Sequence, residues 1–132
     1  MDIISKVYKL EKTEEMSLSS MFETFSWILG EEPFLMLDRS NPENAIEMDE
    51  VGKTCMQHDF VMKPKRNRVD VKVMTSEGQF NFTVKSQKYV TVSDFVEAVN
   101  NIMSKALDVI NNDIMVTKIF LDKNSIVVFT CN

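Results

Sequence analysis

Glycine and cysteine are scarce in this chain of 132 residues, with three of the first and two of the second. With so few glycines no phosphate-cradling loop can be written, and neither the P-loop nor the dinucleotide-binding pattern occurs. Two thiols, Cys55 and Cys131, are too few for a disulfide scaffold, so a reducing, cytoplasmic setting is expected. No apolar run approaches the roughly 18 residues that a membrane span needs, so no membrane partner is expected. The opening Met1-Asp-Ile-Ile-Ser-Lys6 lacks the basic flank and small-residue cleavage site of a signal peptide. There is one histidine, His58. With Cys55 it makes two ligands at a usable spacing, whereas a closed zinc site takes four. A Cys55–His58 nucleophile pair has no third group to orient it. Asp122-Lys-Asn-Ser125 offers oxygen side chains without the glycine or distal glutamate of a calcium loop, and reads as turn chemistry. The sequence therefore predicts no catalytic residues, no metal and no cofactor: a protein that is not an enzyme.

What is present is ordinary globular material. Hydrophobic residues make up 44% and charged residues 27%, and 15.2 kDa suits one domain. Charge, however, is uneven. Residues 1–62 carry five cations and thirteen acids, a net of −8, while residues 63–132 carry ten cations and seven acids, a net of +3. Between them Lys63-Pro-Lys-Arg-Asn-Arg68 reads as an exposed basic connector, because the proline disfavours a regular element.

The pattern along the chain predicts an α+β domain spanning 1–132. Residues 2–12 fit an amphipathic segment. A helix is expected over 14–29, capped by Thr13 and stopped by Gly30, with Leu18, Met21, Phe22, Phe25, Ile28 and Leu29 in one core arc of about 120°. Met16 and Trp27 fall on its opposite face, with Glu23 one turn before Trp27. Pro33–Asp38 suits a buried strand or close-packed loop. Asn41-Pro42 resembles the start of an acidic helix carrying Glu43, Glu47, Asp49 and Glu50, with Gly52 its stop. Phe60–Met62 is a further candidate strand.

From residue 69 the order reads β-β-α-β-β. Val69, Val71 and Val73 alternate with polar residues, as do Phe80, Phe82 and Val84, and a Glu77-Gly78 loop sets Val73 opposite Phe82 and Asp70 opposite Lys85. A long core helix follows over 93–110, capped by Ser93 and ended by Asn111-Asn112. A second hairpin over 114–121 and 125–131 is apolar on both faces and reads as central. One antiparallel sheet with the long helix on it would bury all of this.

These features predict a small acidic module that works by stoichiometric binding of a protein with a basic surface. Inhibitor and immunity-type proteins of phages and other mobile elements share the profile, by analogy of type alone. Met16, Glu23 and Trp27, with Glu43, Glu47, Asp49 and Glu50, are the candidate contact residues; an off-stripe tryptophan is either covered by its own chain or kept for a partner. Two alternatives stand. Lys63, Lys65, Arg66 and Arg68 could contact phosphates, with Tyr89 or Phe80 stacking on bases, although a pI near 4.9 opposes this. The partner could equally be a second copy, in a homo-oligomer.

Overall fold

The structure, a computed structural model, describes residues 15–36, 45–107 and 114–131. The segment 2–12, the Asn41-Pro42 helix start, Glu43 and the Asn111-Asn112 stop lie outside them. The architecture is mixed α+β, with two helices and several sheets.

No helix forms over 15–29. The chain instead makes β1 (Ser17–Leu18), a 3-10 turn at Ser20–Glu23 and β2 (Phe25–Ser26). Two local preferences defeat the helical stripe. Ser19 accepts a hydrogen bond from Met21 N–H through its side chain and so caps a single 3-10 turn, which ends at Thr24. After it, Phe25, Trp27 and Leu29 are all buried, an alternation of period two that aromatic residues favour in extended chain. Ser26, between them, is buried too and donates to Val116 C=O at 2.5 Å.

β2 continues into a small antiparallel sheet ordered β2-β3-β4, where β3 is Phe34–Met36 and β4 is Ala45–Glu47. The acidic helix expected from 42 therefore starts later, as α1 (Glu50–His58), capped by the Asp49 carboxylate on Gly52 N–H at 2.8 Å. Gly52, expected to stop a helix, lies in the first turn of this one. A Cβ there would come within 2.7 Å of Met48 Cγ, and Met48 is buried. After α1, Phe60 bridges to Thr91, and β5 (Met62–Lys63) pairs with β1.

The largest sheet begins with β6 (Arg68–Thr75) and β7 (Gly78–Lys85), with Val69, Val71, Val73 and Val84 buried. Their register differs from expectation by two residues: Val73 meets Phe80, Val71 meets Phe82, and Asp70 meets Thr83, whose hydroxyl donates to it at 2.9 Å. The turn explains the shift. Thr75 Oγ1 accepts from Glu77 N–H (3.2 Å) and donates to Gly78 C=O (3.0 Å), so the loop is Ser76-Glu77. Gly78 opens the strand at φ 136°, a conformation that side chains bearing a Cβ rarely adopt. A slip of two keeps each side chain on its expected face; a slip of one would have inverted them all.

Next comes α2 (Val92–Ala106), shorter than the expected 93–110. Thr91, not Ser93, caps it: its hydroxyl accepts from Asp94 N–H, and the Asp94 carboxylate accepts from Thr91 N–H, each satisfying an end group that the helix cannot. Phe95, Val96, Val99 and Met103 bury one face of α2 in the same core as Val71, Val73, Ile126 and Val128.

The last hairpin, β8 (Met115–Asp122) and β9 (Ser125–Cys131), completes a sheet ordered β7-β6-β9-β8. β6 and β9 run parallel, so this sheet is mixed and not the antiparallel one expected. Of the two strands read as central, β9 is central and β8 lies at the border. The apolar start of β8 is covered from the N-terminal region: Val116 N–H donates to Trp27 C=O and Leu29 N–H to Ile114 C=O, both at 2.9 Å.

Candidate functional site

The residues expected to meet a partner do not form one surface. Trp27 is fully buried, its ring stacked on Phe25 with centroids 5.8 Å apart, and its Nε1 donates to Asn100 Oδ1 at 2.9 Å. The expectation of an indole held for a partner is corrected: the chain covers it. The cause is the extended backbone of 25–29, which turns Trp27 inward with Phe25 and Leu29. Met16 is half-buried against the core, with Arg66 Nη2 3.7 Å from its sulfur, and Glu23 is exposed. Glu43 lies outside the described residues.

Glu47, Asp49 and Glu50 do come together, at the corner where β4 turns into α1. All of β4 is exposed and it borders its sheet, while buried Met48 pins the corner to the core. Asp49 is committed to the helix cap, and Glu50 lies 3.8 Å from Lys53 in an exposed ion pair that holds little energy. Two residues that sequence reasoning passed over complete the corner. Ile46 is 48% and Val51 70% exposed, the largest exposures among the bulky hydrophobics described. Their signal was available in the sequence as apolar residues bracketing an acidic run.

The basic connector makes a second, separate surface. It is held against residues 86–90 by Val90 N–H on Arg66 C=O (2.7 Å) and Ser86 N–H on Asn67 C=O (2.8 Å). Lys63, Lys65, Arg66 and Arg68 are exposed, and this docking brings Lys85 and Lys88 alongside them. Arg68 stands directly opposite Lys85 across the β6–β7 ladder. The Lys65 ammonium sits over the rings of Tyr89 (4.6 Å) and Phe60 (5.4 Å), which meet edge to face. Of the two rings considered for base stacking, Phe80 packs against the core, and Tyr89 is exposed but already carries Lys65.

Cys55, His58 and Cys131 are exposed, and among the described residues no three His, Cys, Asp or Glu side chains are grouped to hold a metal ion. A cavity of about 410 Å³ lies between α1, α2 and the Gly30–Pro33 turn. Its polar wall includes Asn100, which is already engaged with Trp27, Gly30 and Glu31. No described helix is long and apolar enough to cross a membrane.

The protein is thus an α+β fold that carries an acidic, partly apolar corner and a basic loop pair on separate elements. The chain matches no family model, no curated protein and no solved structure.

Proposed function

We propose that the protein acts by stoichiometric binding, docking the β4–α1 corner onto a basic surface of another protein. The observation that carries this reading is the exposure of Ile46 and Val51 among Glu47, Asp49 and Glu50. Interfaces commonly have an apolar centre that supplies desolvation energy and a charged rim that supplies steering and selectivity. The partner's surface is of the kind that otherwise meets nucleic acid, and the mode of action is blockade, as in inhibitor and immunity-type proteins of phages and other mobile elements. The site of action is the cytoplasm.

Affinity purification from host lysate, with captured proteins identified by mass spectrometry, tests this against the variant Ile46→Ser/Val51→Ser/Glu50→Lys. A basic protein retained by the wild type, released by salt and lost on the variant is the expected result. Equal capture by both removes the corner as the site.

A second reading rests on the convergence of Lys63, Lys65, Arg66, Arg68, Lys85 and Lys88. Such a cluster would suit a nucleic-acid backbone, whose binding weakens steeply with salt as counterions are released. A labelled single strand that shifts at low salt, and not after Lys65, Arg66 and Arg68 are changed to Ser, would favour it. No shift at low salt excludes it.

A further inference from the structure

Among the described residues nothing guards the outer edge of β7, and no strand pairs with it. Ser86 N–H donates to Asn67 C=O, and the β6–β7 pairs run without a register shift from Arg68–Lys85 to Thr75–Gly78. Even-numbered residues of β7 therefore turn their backbone groups toward β6, and Gln79, Asn81, Thr83 and Lys85 turn theirs outward. Open edges are ordinarily blunted by charge, proline or a bulge. Residues 79–84, Gln-Phe-Asn-Phe-Thr-Val, contain no charge and no proline, and their ladder has no bulge.

We propose that β7 pairs antiparallel with β7 of a second copy of this chain, about a two-fold axis at Asn81. This register sets Asn81 opposite its counterpart, Gln79 opposite Thr83 and Phe80 opposite Phe82, and it places the loop residue Glu77, just before β7, at the end of the second copy's strand beside Lys85. Residues directly opposed in an antiparallel pair share a face, so Phe80 and Phe82, both half-buried beside the core, cover one another across the axis. The outward backbone groups of residues 79, 81 and 83 meet their like, in the self-complementary manner of a two-fold interface.

Charge selects the register. Lys85 faces Arg68 within its own sheet, and among the described residues it forms no ion pair, nor does Glu77. Centring on Asn81 brings a Glu77 carboxylate from the second copy to each Lys85, relieving a like-charge contact that the single chain leaves standing. Centring on Phe82 would instead oppose Lys85 to Gln79 and give Glu77 no cation. The pairing uses no residue of the β4–α1 corner, so it stands or falls apart from the proposed partner site.

Sedimentation velocity of the full chain over a concentration series is the test. The wild type should show a monomer–dimer equilibrium. Asn81→Pro removes an outward N–H and leaves the β6 ladder intact, so it should give a monomer with an unchanged circular dichroism spectrum. Thr83→Lys, which places a charge on the edge without altering the backbone, should do the same and serves if the proline variant fails to fold. Glu77→Lys should weaken the dimer by about three- to tenfold, and Glu77→Lys/Lys85→Glu should recover it. A monomer at every concentration, or a dimer that survives both edge variants, overturns the proposal.

Discussion

Residues 15–63 and residues 68–131 are held together by different means. The later region has strands of seven or eight residues joined by a four-stranded ladder. Among the described residues of the earlier region no strand exceeds three residues. That region is tied down by single contacts reaching across the chain: Asn100 to Trp27 and Gly30, Ser26 to Val116 C=O, and isolated backbone bonds from Val116 N–H to Trp27 C=O and from Leu29 N–H to Ile114 C=O. A ladder spreads its load over many backbone groups, and isolated ties concentrate it. Single substitutions should therefore be felt most in the earlier region.

Trp27→Ala should have the largest effect, about 3–5 kcal/mol of lost stability in denaturant unfolding, because it empties a fully buried site and strands part of the Asn100 amide. A loss below about 1 kcal/mol would mean that the indole is not the anchor described. Asn100→Ala comes next. Asn100 Oδ1 accepts from both Trp27 Nε1 and Gly30 N–H, and its Nδ2 donates to Glu31 C=O. The expected cost is about 1–3 kcal/mol. Its signature is local: hydrogen exchange should quicken at amides 25–31 and stay slow in β6 and β9. Equal quickening in both would show that the two regions open together. Thr91→Ala should cost least, about 1 kcal/mol by thermal unfolding, since it removes one half of a reciprocal cap. Exchange should then rise at the first turn of α2, with amides 25–31 unchanged.

The same division governs what could be read from the sequence. The α+β class was legible because alternation at 69–73 and 80–84 and the apolar stripe after Thr91 are local patterns that burial preserves. The faces of the β6–β7 hairpin were legible for the same reason. Its register was not, because the Thr75 hydroxyl decides which two residues form the loop, and either loop satisfies the alternation. The parallel meeting of β6 and β9 was out of reach as well, since it depends on how two hairpins dock across a helix. At 15–29 one stretch satisfies both periods: Leu18, Met21, Phe22 and Phe25 space as a helix, while Phe25, Trp27 and Leu29 alternate as a strand. Trp27, homeless on the helical wheel, was the residue that distinguished them. In the candidate site Glu47, Asp49 and Glu50 were found by charge. Ile46 and Val51 were passed over because the stretch was read as one continuous helix, in which they draw no notice.

The long reach of these ties also orders the assembly of the molecule in time. During synthesis the first region leaves the ribosome well before Asn100 and Val116, the two residues that receive Trp27 and Ser26. The central β6–β9 pair likewise waits for residues 125–129. Whatever the first region does while it emerges, its native contacts are not yet there to be made, and Phe22, Phe25 and Trp27 spend that interval without the partners that later bury them. The nascent chain therefore presents its most aromatic stretch well before it can enclose it.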